Sequence, residues 1–192
     1  DSIYHQKGII TAFKEAGYQT AFFSNQRYNH SFIDFFGKEA DTFDFIKEDS
    51  LDSAYNPSDD ELLALVAKEL SKGNQKQFIV LHTYGSHFNY RERYPSEDAF
   101  FLPDYPVEAE VKYRDNLVNA YDNTIRYTDS FLSRLIHMLE EQHVDAAMLY
   151  TSDHGEDIFD DSRHLFLHAS PVPSYYQLHV PFLIWMSDTY RE

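Results

Sequence analysis

Histidine and acidic residues gather at three places in this sequence, each directly after an apolar run or in the loop that follows one. Asp153 and His154 stand side by side, His82 and His87 bracket a Gly-Ser turn, and His168 closes a histidine-containing loop. Carboxylate oxygens and imidazole nitrogens are ligands that zinc or manganese accepts. Imidazoles can also contact a phosphate or move a proton. The pattern therefore predicts a metal-assisted site.

Two of these clusters also have simpler interpretations. Asp153 could cap a following helix while His154 lies on the surface. Of His82 and His87, one could be packed inside its loop and the other solvated. Neither local motif decides between the two interpretations, and the prediction depends on several histidines converging at one place.

The third cluster contains two histidines, His164 and His168, spaced i,i+4. If the segment is helical, both side chains share one helix face and can reach one ligand. The alternative is a solvent-facing turn, which is at least as good an account of His164. The apolar residues around His168 and the Ser-Pro after it favour a fixed loop position and a functional role for His168.

Charge and composition limit the kinds of partner. The formal net charge of −16 opposes binding to nucleic acid and to anionic lipid surfaces. An anionic substrate would need a local positive centre, for which a divalent cation is the simplest candidate. The chain has no cysteine, which excludes thiolate zinc ligands and Cys nucleophiles. No apolar run approaches the roughly 20 residues that cross a bilayer.

Apolar runs alternate with helical patterns along the chain. Because continuous apolar strands are typical of a parallel sheet covered on both faces, we predict a three-layer α/β/α fold with a mostly parallel central sheet. Ligands of such folds bind beyond the carboxyl ends of the strands, where the polar clusters stand. The strands are predicted at 20–24, 42–46, 78–81, 146–151 and 180–186, the helices at 3–16, 58–72 and 110–142, and a long irregular loop at 88–108.

Five segments together resemble the alkaline-phosphatase/sulfatase superfamily, and within it the lipid A phosphoethanolamine transferases. They extend over nearly the whole chain in the order that the family shows. The segments are GYQTAFFSNQ (17–26), FIVLHTYGSHFNYRERYP (78–95), YDNTIRYTD (121–129), YTSDHGED (150–157) and FLHASP (166–171).

The resemblance implies a zinc site to which Asp153 and His154 contribute two ligands, while the donor types alone also allow manganese. It implies that His87 and His168 face the substrate or a second metal, with His82 close behind them. The family's remaining ligands are a glutamate and a threonine, and that threonine is the nucleophile that becomes phosphorylated. Both precede the position equivalent to residue 1.

Residues 1–192 are therefore expected to be one catalytic-domain fragment, inactive alone and lacking a C-terminal end. The resemblance implies that the full-length protein is anchored by membrane helices outside this chain, at the periplasmic face of a bacterial inner membrane. It also implies a phospholipid donor and lipid A or a related cell-envelope acceptor. Two alternatives remain: a sulfatase or phosphoglycerol transferase of the same superfamily, and a catalytically silent metal- or ligand-binding domain.

Overall fold

The computed structural model of the chain describes residues 7–26, 32–46, 57–73, 76–106 and 108–191. They divide into two compact units, Asp1–Tyr84 and Gly85–Glu192. Across these described ranges, no helix is both long enough and apolar enough to cross a membrane.

The first unit is built on a parallel sheet with the strand order β2-β1-β3. The three strands confirm those predicted at 20–24, 42–46 and 78–81, to within one residue at each end. In chain order the elements are α1 (Ile9–Glu15), β1 (Gln19–Ser24), α2 (Phe32–Gly37), β2 (Thr42–Phe45), α3 (Glu61–Leu70) and β3 (Gln77–His82).

Phenylalanines and small apolar residues form the core of this unit. The ring of Phe13 on α1 stacks on Phe78 of β3 with 3.9 Å between centroids. Helix α1 ends, as predicted, before Gly17, whose φ of +84° few other residues adopt; positions 3–6 of that predicted helix lie outside the described residues. The buried cluster comprises Ile10, Phe22, Ala40 and Phe45, with Ile33, Phe78 and Val80 packed against it.

Helix α3 begins three residues later than the predicted helix at 58–72. Asp60 occupies its N-cap position and makes no side-chain cap hydrogen bond. The Ser58 hydroxyl accepts a hydrogen bond from the Asp60 N–H at 3.2 Å. Serine commonly stabilises a tight turn in this way. Ser58 therefore shapes the turn before the helix, while Leu62 and Val66 bury the apolar face of the helix.

The second unit contains one long helix and two small antiparallel sheets. The predicted helix at 110–142 is confirmed as α4, preceded by one 3₁₀ turn (Val111–Tyr113). The other elements are 3₁₀ turns Tyr90–Glu92 and Ser96–Asp98, α4 (Arg114–Glu141), β4 (Ala147–Thr151), β5 (Asp157–Ile158), β6 (Phe166–Leu167), α5 (Tyr175–Leu178), β7 (Phe182–Met186) and α6 (Asp188–Arg191).

The core of the second unit lies between α4 and the segments that carry the polar motifs. Leu117 and Ala120 of α4 are fully buried against Tyr90 and Ile158. Tyr90 packs edge-on against Tyr121 of α4, with 5.2 Å between ring centroids. The backbone on both sides of Tyr90 and Ile158 is therefore anchored to one long helix.

Strands β4 and β7 differ from the prediction of mostly parallel, buried strands. They pair antiparallel, with Leu149 opposite Ile184. These two side chains are 59% and 53% exposed, so this part of the pair is open to solvent. A continuous apolar run specifies a strand but neither its direction nor what covers it, which is why the sequence pattern was misleading here.

The segment around His164 and His168 is not helical, so the shared helix face suggested by their spacing is wrong. Leu167 belongs to β6, and His164, Leu167 and Ala169 all have positive φ angles of 51° to 67°. Such angles reverse the chain direction locally and are incompatible with a helix. His164 is exposed, as expected for a solvent-facing turn.

Side chains from the second unit fix the predicted long loop in place. The Asn123 side chain on α4 accepts hydrogen bonds from the N–H groups of Phe100 and Phe101, both at 2.9 Å. The guanidinium of Arg91 forms an ion pair with Asp104 at 2.9 Å, and both side chains are almost fully buried. The loop is therefore irregular but well connected.

Candidate active site

A group of imidazole and carboxylate side chains lies in the second unit. Ligand atoms from His154, Glu156 and His168 all lie within 4.8 Å of one another. Strands β5 and β6 explain part of this proximity, because Asp157 pairs with Leu167. In an antiparallel pair, the residue before one partner stands opposite the residue after the other. This register places Glu156 beside His168.

Glu156 is buried and both of its oxygens accept hydrogen bonds. Oε1 accepts from Nδ1 of His168 at 3.1 Å. Oε2 accepts from the hydroxyl of Tyr90, a short contact. Burial of Tyr90, and after it the charge of Glu156, raises the pKa of the Tyr90 hydroxyl. Tyr90 therefore remains neutral and acts as a hydrogen-bond donor to the carboxylate.

The hydrogen bonds of His154 and His168 fix which ring nitrogen carries the proton. Nδ1 of His154 lies 3.0 Å from the carbonyl oxygen of Gly155, which can only accept. Nδ1 of His168 faces a carboxylate in the same way. In the neutral imidazole the lone pair is then on Nε2 in both rings. The two rings stack with 3.7 Å between centroids. The two unprotonated Nε2 atoms therefore belong to side chains in direct contact.

His87 approaches this group from the turn after β3. Its ring centroid lies 6.3 Å from that of His168. Beside it, the hydroxyl oxygens of Ser86 and Thr124 lie 2.7 Å apart, which ties the turn to α4. Gly85 has a φ of +59°, as a tight turn requires. The structure therefore brings His87, His154 and His168 together.

Asp153 lies next to His154 at the edge of this group. Its Oδ1 accepts a hydrogen bond from the His154 N–H at 3.0 Å, and its Oδ2 lies 3.8 Å from Nε2 of His154. The side chain is 85% exposed. Asp153 caps no helix, since β5 is the next element. Its carboxylate is thus open to a ligand on the side where His154 presents a lone pair.

His82, which the resemblance also assigns to the site, belongs to the first unit. It ends β3, where its Nδ1 lies 2.9 Å from the hydroxyl oxygen of Ser24 on β1. Its ring also stacks on Phe22, with 6.3 Å between centroids. These contacts give His82 a packing role within its sheet.

Glu156 and Tyr90 are the members of the site that sequence reasoning missed. Glu156 stands two residues after His154, in the motif whose predicted ligands were Asp153 and His154. Its link to His168 depends on β5 and β6, which are two residues long. Strands this short leave no periodic signal in a sequence. Tyr90 lies in an aromatic-rich loop with nothing to distinguish it from its neighbours.

The donor atoms fit a zinc ion. Imidazole nitrogens and carboxylate oxygens in close proximity are the usual ligands of zinc in proteins without thiolates. Each histidine also uses its second nitrogen on an oxygen acceptor, the arrangement that typically orients metal-binding imidazoles. Two arginines of this unit are already paired and supply no free positive charge: Arg114 pairs with Asp160 at 2.8 Å and Arg163 with Asp161 at 2.6 Å.

Comparison with known proteins identifies the family and agrees with the fold. The family model described as Sulfatase matches residues 1–192. The Kdo(2)-lipid A phosphoethanolamine 7''-transferase of Escherichia coli (strain K12) is 36% identical over 138 residues, which cover 69% of this chain and 24% of that protein. The chain thus spans about a quarter of the length of this relative.

Two solved structures share the fold. The C-terminal periplasmic domain of phosphoethanolamine transferase EptC from Campylobacter jejuni has a TM-score of 0.83 at 30% identity, covering 96% of this chain and 57% of that one. The periplasmic domain of EcEptC from E. coli, in complex with Zn, has a TM-score of 0.85 at 24% identity, covering 97% and 54%. The α/β fold and the resemblance predicted from the sequence motifs are confirmed, and the chain belongs to the sulfatase family.

Proposed function

We propose that the full-length protein is a zinc-dependent phosphoethanolamine transferase, taking the group from a phospholipid and passing it to lipid A or a related cell-envelope acceptor. The observation that carries the proposal is the convergence of His87, His154 and His168 around one buried carboxylate. The similarity to phosphoethanolamine transferases over most of the chain supports the choice of transferred group.

In this proposal, Asp153 and His154 hold the metal. The exposed Asp153 carboxylate and Nε2 of His154 lie 3.8 Å apart, and both can turn toward one ion. Bound zinc would supply Lewis acidity that lowers the pKa of a hydroxyl nucleophile and balances charge on the phosphoryl oxygens. A threonine preceding residue 1 is the proposed nucleophile, forming a phospho-threonine intermediate. Thr11 does not suit that role, because it lies within α1 and its hydroxyl donates to the Glu39 carboxylate.

His168 and His87 are proposed to face the phosphoryl group. As a neutral imidazole, His168 presents a basic Nε2 that can take a proton from the acceptor hydroxyl, and its conjugate acid can protonate the leaving oxygen. His87 stands near enough to share contact with the same group. Because this chain lacks the proposed nucleophile, we expect it to show no turnover alone. The proposed location is the periplasmic face of a bacterial inner membrane.

Activity assays of the purified full-length protein with different donor substrates test this proposal. With phosphatidylethanolamine and lipid A in detergent, we expect diacylglycerol release and phosphoethanolamine transfer, both lost in His154→Ala. His137→Ala, a change at an exposed residue of α4, is the matched control and should retain activity. Turnover of phosphatidylglycerol or of an aryl sulfate in place of phosphatidylethanolamine would contradict the proposal and favour one of the two related activities.

Elemental analysis of the same preparations tests the metal. We expect zinc in the wild type and in His137→Ala, and its loss in a double variant Asp153→Asn/His154→Ala. A wild-type protein that binds manganese but not zinc would contradict the choice of metal. A protein that binds neither ion would favour a catalytically silent binding domain.

A further inference from the structure

We infer that Glu156 is a positioning residue: anchored by Tyr90, it holds the ring of His168 with the proton on Nδ1 and the lone pair on Nε2. The role of that lone pair in phosphoryl transfer rests on the proposed function. The positioning itself does not, because it is a property of three side chains in the second unit.

The Glu156 carboxylate is buried at an energetic cost. Its side chain is only 4% exposed. A buried carboxylate is strongly unfavourable unless hydrogen bonds replace its lost water. Two donors do so here, the hydroxyl of Tyr90 and Nδ1–H of His168. Glu156 therefore favours the His168 tautomer that donates from Nδ1, since the other tautomer would turn a lone pair toward the carboxylate.

Tyr90 is a rigid anchor for Glu156. Tyr90 is 0% exposed and lies in the buried cluster with Leu117 and Ala120 of α4. Its ring also packs edge-on against Phe88, with 5.3 Å between centroids. A hydroxyl held this firmly fixes the carboxylate that accepts from it. The orientation of His168 is thereby set by the core of the unit, through Glu156.

The contacts of Glu156 favour a positioning role over metal binding. Glu156 lies close enough to His154 and His168 to share a cation with them. To ligate a metal, however, it would have to give up a bond to Tyr90 or to His168, while Asp153 offers an exposed carboxylate beside His154. Carboxylates that orient an imidazole through its second nitrogen are a recurrent feature of such sites. The contacts of Glu156 match that role.

¹⁵N NMR spectra of the imidazole groups of the chain test this inference without an activity assay. His168 is assigned by its absence from the spectrum of His168→Gln. In the wild type we expect a protonated Nδ1 and an unprotonated Nε2. In Glu156→Ala we expect a mixture in which Nε2–H becomes the main form, as in free histidine. A double variant, Tyr90→Phe/Glu156→Ala, guards against misfolding, because removing both partners leaves no buried donor unpaired.

Tyr94→Phe is the matched control. It removes a hydrogen bond from another buried tyrosine to another buried carboxylate, Asp104, at 2.8 Å. We expect the His168 tautomer to remain unchanged in this variant. A wild-type spectrum with the proton on Nε2 would overturn the inference, as would an unchanged Nδ1–H in both Glu156 variants.

A kinetic measurement on the full-length protein is the second test of the positioning role. We expect Glu156→Ala to lower kcat by roughly 10–100-fold, the usual effect of losing a residue that orients an active-site imidazole, with KM and zinc content nearly unchanged. Loss of zinc together with activity would identify Glu156 as a ligand and overturn the inference. If the wild type transfers nothing, the proposed function fails, while the spectra still decide the positioning role.

Discussion

Two buried tyrosine–carboxylate pairs lie within the second unit and differ in the partner of the carboxylate. Tyr94 donates to Asp104, which also forms an ion pair with the nearly buried Arg91. Tyr90 donates to Glu156, whose other partner is His168. An arginine keeps its charge and neutralises Asp104 permanently, whereas an imidazole can gain or lose a proton. We call Tyr94–Asp104 and its partner Arg91 the structural pair. We propose that Tyr90–Glu156 and its partner His168 form a functional pair built from similar parts.

The largest expected effect on stability comes from breaking the structural pair. Arg91→Met leaves the Asp104 carboxylate buried without a positive partner, and we expect a loss of about 3–5 kcal/mol in the free energy of unfolding. Urea denaturation of the chain measures it. Lys112→Met, which removes an exposed ion pair with Glu110, is the control and should change nothing measurable. Equal stability of the two variants would show that Arg91 does not support the loop.

The functional pair should respond in the opposite way. His168→Gln is expected to lower transfer by the full-length protein about 10²–10⁴-fold, as loss of a proton-transferring residue does. Its effect on unfolding should be about 1 kcal/mol, because one hydrogen bond is lost and water can reach this partly exposed position. Transfer assays and urea denaturation of one preparation give both values. A stability loss as large as that of Arg91→Met would remove the distinction between the pairs.

A change at Asn123 tests how the structural pair is connected to the long loop. Its side chain contacts the Tyr94 hydroxyl and the backbone of Phe100 and Phe101. We expect Asn123→Ala to lower the free energy of unfolding by about 1–3 kcal/mol, since the N–H groups of Phe100 and Phe101 lose their acceptor. Hydrogen exchange at the amides of Phe100 and Phe101 should accelerate, while amides near Glu156 keep their protection. Acceleration at both places would contradict the independence of the two pairs.

Alkaline pH tests Tyr94 of the structural pair by itself. Burial, opposed by the hydrogen bond from Asn123 and reinforced by Asp104, raises the pKa of Tyr94 from 10.0 to about 12. Because the folded-state pKa is the higher one, the stabilisation is complete below pH 10 and is lost as the pH rises toward 12. Urea midpoints between these values should fall less steeply in Tyr94→Phe than in the wild type. Identical slopes would show that Tyr94 ionises equally readily in both states.

Sequence patterns predicted the regular elements well and the site only in part. The three strands of the first unit and helix α4 carry strong apolar patterns, and the structure has them at the expected places. The direction of β7 did not follow from its sequence, because an apolar run reads the same for parallel and antiparallel pairing. Residues 1–6, 27–31 and 47–56 lie outside the described residues, and expectations about them stay predictions.

Within the site, residues of characteristic chemistry could be found, but their partners could not. His87, His154 and His168 stand out by residue type and position. Glu156 and Tyr90 acquire their importance from a register between two-residue strands and from burial against α4. Both depend on tertiary contacts between segments far apart in the chain.

The most direct test of the central claim is mass spectrometry of lipid A from bacteria that lack other phosphoethanolamine transferases and express the full-length protein. We predict lipid A bearing phosphoethanolamine with the wild type and with His137→Ala, and unmodified lipid A with His154→Ala or His168→Gln at equal protein levels. Modified lipid A in the His154 or His168 variant would contradict the assignment of this site.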